Sequence, residues 1–365
     1  MKILCMYLPQ FHEISENNNW WGKGYTEWSS VKKAKPLFKK HVQPKIPLNN
    51  NYYNLASEDA KTWAWQAKLA KEYGIYGFCI YHYWFKGKQL LEKPMEILLE
   101  HPEIDINYSI CWANETWTRT WYSLEKEILI SQEYGSENDW RDHFNYMLQF
   151  FKDKRYIKIN NKPMLNIYRS SDIKDLKEMI CCFNKLAIEN GFDGIYVVAS
   201  NNNGDLENRT EVIDAYYNFE PGYTLKHRLN VLQSFNYGIK IWLKQLRNKH
   251  INIKILERKI DARQIYKVII DGSETSSKKV FKGIFPMWDN TPRRGYKGLA
   301  YINTSPKLFY DALLTLQDQI KNDELDFLYI NAWNEWGEGD YLEPDETYKY
   351  QYLEAIRAVL SKNYE

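Results

Sequence analysis

An α/β chain built as a (β/α)₈ barrel of the TIM type is the fold this sequence predicts, on three observations. Eight strand-like runs alternate, for the most part, with helical ones along the 365 residues. Several of these runs are apolar on both faces, as parallel strands covered by helices are. The Gly-rich first turn that a doubly wound sheet would supply is absent from the exit of the first strand. A barrel of this kind often occupies a whole chain of this length, so one catalytic domain over 1–365 is expected.

The first strand is expected from Lys2 to Leu8, stopped by Pro9. A polar and aromatic loop follows, Gln10 to Asn54, holding Trp20-Trp21-Gly22-Lys23-Gly24-Tyr25-Thr26-Glu27-Trp28. So long an unstructured connection in a barrel is usually functional. Ser57, Glu58 and Asp59 open a helix that runs to Gly74. The second strand is Ile75 to Tyr81, leading into His82, Tyr83, Trp84 and Phe85. Glu92 to Glu100 reads as helix, and Asn107 to Trp112 as the third strand, leading into Asn114 and Glu115. A helix from Glu137 to Phe151 and a short strand pair around Tyr156 to Ile159 precede the fourth strand, Met164 to Tyr168. Helix Lys174 to Asn190 leads to the fifth strand, Ile195 to Ala199, and the sixth, Ile213 to Phe219, ends at Glu220. The seventh, Gly283 to Met287, ends in Trp288-Asp289. Helix Pro306 to Lys321, the eighth strand Phe327 to Ala332 and helix Tyr348 to Ser361 close the chain.

One segment exceeds a minimal barrel. Tyr223 to Lys282, between the sixth and seventh strands, carries 14 Lys or Arg against four acids, in a chain whose net charge is only +2. It reads as a basic helical excursion with a solvated face, or as a surface for anionic lipid, a lipid-linked glycan or a polyanionic glycan. The small net charge argues against a general nucleic-acid binder. Five cysteines, two of them the adjacent Cys181 and Cys182, match no zinc pattern and suit a reducing compartment. No window is long and apolar enough for a transmembrane helix, and the Met1 terminus lacks a signal-peptide pattern. A cytoplasmic protein is expected, with the basic segment as a candidate attachment to the inner face of the membrane.

The residues with chemistry gather where a barrel keeps its active site, at the carboxyl ends of the strands. The densest stretch is Asn331-Ala332-Trp333-Asn334-Glu335-Trp336-Gly337-Glu338-Gly339 after the eighth strand. Glycoside cleavage generally needs one carboxyl to protonate the leaving oxygen and a second, in a different environment, to act as base or nucleophile. Glu335 and Glu338, framed by tryptophans and glycines, are that candidate pair. ExxE by itself is common on solvated helices; its place after an apolar strand is what distinguishes it here. His82 reads as a substrate hydrogen-bonding group or as a satisfied core histidine, and Glu115 as a site residue or a helix cap. No HExxH, cysteine-pair, P-loop or G-x-S-x-G pattern occurs, so neither a metal nor another cofactor is expected.

Taken together, Tyr7-Leu8-Pro9-Gln10-Phe11-His12, the Trp20 to Trp28 stretch, Gly74-Ile75-Tyr76-Gly77-Phe78 and Tyr81-His82-Tyr83-Trp84-Phe85 resemble a known family. Cys111-Trp112-Ala113-Asn114-Glu115, Trp288-Asp289-Asn290-Thr291 and the stretch after the eighth strand complete the likeness. The chain resembles the WbsX-type proteins of bacterial surface-polysaccharide and O-antigen biosynthesis, often called glycosyltransferases. Their domain is similar to glycoside hydrolase family 99, the endo-α-mannosidases. The resemblance implies a barrel acting on glycosidic bonds without a cofactor. It matches Glu335-Trp336-Gly337-Glu338-Gly339 to an E-W-x-E-G motif, in which the mannosidase has His at the position of Gly337. By that likeness Glu338 is the general acid/base at the glycosidic oxygen. Glu335 deprotonates the sugar's own 2-hydroxyl, giving a 1,2-anhydro intermediate and net retention. The expected substrate-binding set is Tyr7, Trp21, Glu27, Trp28, Tyr81, His82, Tyr83, Trp84, Trp112, Asn114, Glu115, Tyr168, Glu220, Trp288, Asp289, Asn331, Trp333 and Asn334.

Three functions fit these residues. The first is a retaining endo-glycoside hydrolase or transglycosidase acting on a surface polysaccharide or its precursor. The second is a glycosyltransferase, although no DxD motif or Rossmann-like half is found. The third is a catalytically silent glycan-binding subunit, which the intact Glu335 and Glu338 count against.

Overall fold

Strand β1 (Lys2–Tyr7) pairs in parallel with both β2 (Gly77–Phe85) and β8 (Phe327–Ile330), and that double pairing closes the sheet into a ring. The computed structural model describes residues 1–119, 127–202, 211–229, 231–250, 254–272, 276–320 and 325–362. The ring is completed by β3 (Asn107–Trp112), β4 (Lys162–Ile167), β5 (Tyr196–Asn201), β6 (Ala215–Asn218) and β7 (Lys279–Ile284), each parallel to its neighbours. The expected (β/α)₈ barrel is therefore the observed one.

Its interior is filled. Side chains alternate along a strand, and the inward ones interlock across the ring. Tyr217 of β6 stacks on Tyr329 of β8 with ring centroids 4.3 Å apart. The Tyr329 hydroxyl donates to Asn166 Oδ1 at 2.8 Å, and Asn166 Nδ2 donates to Ser109 Oγ at 3.1 Å. Buried polar groups are thus paired within the barrel, as a low-dielectric interior requires. At Gly283 of β7, a Cβ would collide with the carbonyl oxygen of Asn218, so the β6–β7 seam admits no side chain there.

The helical layer follows from amphipathic spacing. Helices α1 (Ser15–Trp21) and α2 (Glu27–Lys33) lie inside the stretch expected to be an unstructured loop. Their short length hides their periodicity, and the Thr26 capping box that starts α2 is the local cause of its register. Then come α3 (Lys61–Glu72) and α4 (Lys93–Glu100). Helix α5 (Glu137–Phe151) opens on a Ser136/Asp139 capping box and buries Phe144, Met147 and Phe151 on one face. Helix α6 (Leu176–Glu189) packs beside it.

Several boundaries differ from the sequence reading, and two of them bear on the site. Strand β2 continues to Phe85, because a hairpin with Lys88–Leu90 extends its ladder. Strand β7 begins at Lys279 rather than Gly283, so the last residues of the basic excursion are barrel. The rest of that excursion forms α7 (Val231–His250), a short strand Arg258–Asp261 and α8 (Ala262–Asp271). The short strand pairs in parallel with Leu299–Ile302. After β7 come α9 (Thr291–Arg294), α10 (Pro306–Ile320) and α11 (Gln351–Ser361). Lys321, the last residue expected in the penultimate helix, lies outside the described residues. No helix among the described residues is long and apolar enough to cross a membrane.

The seam gives a direct test. Gly283→Ala should destabilise the barrel by roughly 1–3 kcal/mol through overpacking, read as a lower denaturant midpoint with an unchanged slope; an unchanged midpoint would contradict the close approach.

Candidate active site

The stretch after β8 is held in place before it presents any chemistry. Trp333 N donates to Met6 O at 2.8 Å, and Asn334 both accepts from Leu8 N at 2.8 Å and donates to Leu8 O at 3.0 Å. The segment is thereby fastened to the exit of β1. Asn334–Glu335 then pairs antiparallel with Asp340–Tyr341, and a single 3₁₀ turn, Trp336–Glu338, bridges them. Trp336 stacks on Tyr341 at 3.8 Å and donates from Nε1 to Glu343 Oε2 at 2.7 Å. Tyr53 and Gln66 also donate to the Glu343 carboxylate, at 2.9 and 2.7 Å. Burial pushes Glu343 up to about 7, against the pull of these donors.

A charged clamp fixes the tip of the turn. Arg293 Nη1 donates to Glu338 Oε1 at 2.7 Å, while Nη2 donates to both oxygens of Glu27 at 2.7 and 2.9 Å. Glu27 Oε1 also accepts from Gly337 N at 2.6 Å. A Cβ at Gly337 would collide with that carboxylate, so the clamp exists because residue 337 is glycine. Glu27 is fully buried and Arg293 nearly so, which makes this a desolvated, charge-assisted network.

Glu335 and Glu338 titrate as a pair. Burial raises Glu335 well above the carboxylate range, and the neighbouring charge of Glu338 adds to the effect; Arg293 and a hydrogen bond from Tyr81 oppose it. Burial also raises Glu338, but Arg293 beside it favours its charged form. Burial thus disfavours charge on both carboxyls, and the Arg293 guanidinium beside Glu338 offsets part of that penalty. A third acid, Asp340, is buried against both and is likewise raised, first by burial and then by their charges.

Both glutamates line a cavity of about 470 Å³ at the carboxyl end of the barrel, together with Trp21, Tyr81, Tyr83, Glu115, Tyr168 and Trp288. That volume is ordinary for a ligand pocket, roughly 300–1,000 Å³. Among the described residues, three buried polar atoms of wall residues find no hydrogen-bond partner: both amide atoms of Asn17 and the indole Nε1 of Trp288. Such groups are costly unless a ligand satisfies them.

The remaining expected site residues lie behind this surface. Asn114 positions Arg169, accepting from its backbone N at 2.8 Å and donating to its carbonyl at 2.8 Å. Asp289 accepts from His41 and Gln43 at 2.7 and 2.6 Å, and its backbone N donates to Glu338 O. Glu220 accepts from Thr224, and Asn331 donates to Glu220 O. Strand parity removes others. In β2, Tyr81 and Tyr83 face inward while His82 and Trp84 face the helices: His82 Nε2 lies 3.0 Å from His143 Nε2, and Trp84 stacks on His143. His82 is thus a core histidine, with burial pushing it down to about 3. Trp112 packs against the same His143, Tyr7 stacks on Trp63, Trp333 faces Phe78, and Trp28 donates to Tyr53 O.

The sequence profile of the family described as Glycosyltransferase WbsX matches residues 3–356. The chain belongs to the WbsX family. Proteins called WxcX from two strains of Xanthomonas campestris pv. campestris are 31% identical over 363 residues and 32% identical over 369, in each case across 99% of this chain. This chain spans about half the length (50%) of these relatives. Among solved structures, a family 99 endo-α-mannosidase from Bacteroides thetaiotaomicron, in complex with bis-tris-propane, has the same fold at a TM-score of 0.57 and 11% identity, covering 99% of this chain and 96% of its own. A glycoside hydrolase-like protein aligns at 0.60 and 12% identity, over 98% of this chain and 93% of its own.

Four arginines of this WbsX-family cavity, Arg169, Arg258, Arg293 and Arg294, were absent from the residues expected to bind substrate. The signal for two of them was local: Thr291-Pro292-Arg293-Arg294 puts proline at the first turn of a helix directly after Trp288-Asp289. Arg293→Ala should cost roughly 3–5 kcal/mol, because it strands the buried Glu27 charge. Adding Glu27→Gln should recover part of that loss in a double-mutant cycle by chemical denaturation. Additive losses would remove the clamp as the reason.

Proposed function

We propose that this chain is a retaining carbohydrate-active enzyme that cleaves or transfers glycosidic bonds on a bacterial surface polysaccharide or its precursor. The observation that carries this reading is the pair Glu335/Glu338, one member clamped by Arg293 and both lining an aromatic cavity. Asn17 and Trp288 would pair their open polar atoms with sugar hydroxyls, and Trp21, Trp288 and the inward tyrosines supply flat faces for the rings.

In the proposed cycle Glu335 takes the proton of the 2-hydroxyl, whose oxygen attacks the anomeric carbon, while Glu338 gives its proton to the departing oxygen. Water or a second sugar's hydroxyl then opens the 1,2-anhydro ring. That acceptor's proton passes to Glu338, and the 2-oxygen recovers its own from Glu335. One site can therefore hydrolyse or transfer, which accommodates the family's description as a glycosyltransferase. The cycle starts with Glu335 charged and the proton on Glu338. A 2-hydroxyl donating to Glu335 stabilises its charged form, and a glycosidic oxygen accepting from Glu338 stabilises its neutral one.

The basic excursion supports a second contact, with anionic lipid. The polar side of α7 faces the segment that follows it: Lys244 and Gln245 donate to Glu257, and Asn248 exchanges two hydrogen bonds with Ile255. Its apolar residues Ile239, Trp242 and Leu243 face solvent instead, at i, i+3 and i+4 with Lys240 and Arg247 nearby. An apolar stripe edged by cations is the pattern of a helix lying in a membrane interface.

Glu335→Gln and Glu338→Gln should each lower kcat by roughly 10²–10⁴-fold on oligosaccharides, with folding intact by circular dichroism. An activated aryl leaving group should rescue Glu338→Gln and leave Glu335→Gln inactive; the reverse pattern would exchange the two roles, and full activity in either would end the assignment. Because the cycle needs one proton on the pair, activity should fall as pH rises through its raised pKa above neutrality. It should fall again in acid as the second carboxylate is protonated. Trp242→Ser with Leu243→Ser should abolish co-sedimentation with phosphatidylglycerol vesicles; wild-type protein that ignores such vesicles would refute the lipid contact.

A further inference from the structure

A second cavity, of about 440 Å³, adjoins the stretch that carries the acid pair: Trp336 lines it, while Glu335 and Glu338 line the first. The two cavities have no lining residue in common. Its volume is again ordinary for a ligand pocket, roughly 300–1,000 Å³. Three separated parts of the chain build its rim: residues 47–53 of the connection between β1 and α3, Trp65 of α3, and the Pro344 to Tyr350 approach to α11. Hydrogen bonds fix these parts to one another. Leu48 N donates to Pro344 O at 2.9 Å, Glu346 N to Ile46 O at 2.9 Å, and Asn49 N to Glu346 Oε1 at 2.8 Å. Asn49 and Asn50 take left-handed backbone conformations, with φ of 58° and 55°, which asparagine tolerates better than most residues.

The lining combines aromatic rings with neutral polar groups. Tyr52 and Trp65 are half-buried and Tyr350 is exposed, so each leaves part of its ring accessible. Each is also braced: Tyr52 meets Trp28 edge-on, Trp65 lies beside Tyr53, and Tyr350 stacks on Tyr73. Among the described residues, the hydroxyls of Tyr52 and Tyr350, the indole N–H of Trp65 and the side-chain amides of Asn49, Asn50 and Asn51 form no hydrogen bond. A sugar presents the complement, an apolar face of C–H groups and a rim of hydroxyls that both donate and accept. No Lys or Arg lines the cavity, and its one acid, Glu343, already accepts from Tyr53, Gln66 and Trp336. A charged ligand would find no counter-charge in this lining; a neutral sugar needs none.

We propose that this cavity is a second glycan-binding site, which takes a neutral stretch of the polysaccharide while another stretch occupies the cavity of Glu335 and Glu338. The proposal rests on the reading of this chain as a glycan-processing enzyme. Its consequence is avidity. A polymer that reaches both cavities binds more tightly than an oligosaccharide that reaches one, because the second contact forms at a high effective concentration.

The test uses full-length protein carrying Glu338→Gln, so that ligands bind without turnover, labelled with nitrogen-15 at its indoles for NMR. Trp65 reports on the second cavity and Trp288 on the first, and Trp65→Phe and Trp288→Phe assign the two signals. The probes are tetrasaccharides of mannose, of glucose and of N-acetylglucosamine. At least one should shift both signals saturably. Tyr350→Ala should weaken the Trp65 response about tenfold, and the milder Asn51→Ala about threefold, the scale of one neutral hydrogen bond; neither should change the response at Trp288. A soluble polymer of the sugar that binds should bind at least about tenfold more tightly than its tetrasaccharide, and Tyr350→Ala should remove that gain. A response at Trp288 alone overturns the second site and leaves the glycan reading of the first cavity standing. A response at Trp65 alone upholds the second site and ends that reading, and silence at both ends both. A Trp65 response that survives both substitutions overturns the site, and a polymer bound no more tightly than its tetrasaccharide refutes the joint engagement.

Discussion

The Arg293 guanidinium joins three parts of the chain that are distant in sequence. It sits in α9 after β7, receives Glu27 from the connection between β1 and α3, and reaches Glu338 after β8. Removing three charges from water is tolerable only because each finds a partner in good geometry. The network also reaches the backbone, since Glu27 accepts from Gly337 N. The tip of the turn depends on this clamp: Arg293 positions Glu338 and offsets part of the burial that raises it, and the Glu27 carboxylate it holds leaves no room for a side chain at residue 337.

Beneath the pair lie further buried acids, Asp340 and Glu343, each raised by burial. Glu343 is held by donors from Tyr53, Gln66 and Trp336, and so connects α3 and the long β1–α3 connection to the turn. The proton count of this region is therefore a property of a group of carboxylates.

Aromatic content divides between two jobs that look alike in a composition. Tyr81 and Tyr83 line the cavity, while His82 and Trp84, one residue away, pack with His143 and Tyr146 in the helical layer. The difference is the two-residue period of a strand and nothing in the side chains themselves. The basic excursion divides in the same way. Arg258 enters the cavity wall, α7 turns its apolar stripe outward, and Lys279–Lys282 belong to the barrel.

The amino-acid sequence alone was sufficient for the barrel, for its strand order and for Glu335 and Glu338 at the exit of the eighth strand. Those inferences rest on local signals: runs apolar on both faces, helical spacing, and two acids among tryptophans and glycines. The sequence could not settle which way each strand-end residue points, because the expected end of β2 at Tyr81 left His82 and Trp84 outside any strand whose parity could place them. Nor did it expose Arg293, Arg294 and Arg258 as cavity residues. Their meaning comes from partners at Glu27, Glu338 and Leu299, and only the closed ring brings those positions together. Of the acid pair, sequence supplied the identity. Tertiary structure decided its electrostatics, since burial raises both carboxyls and a guanidinium from another part of the chain stands beside Glu338.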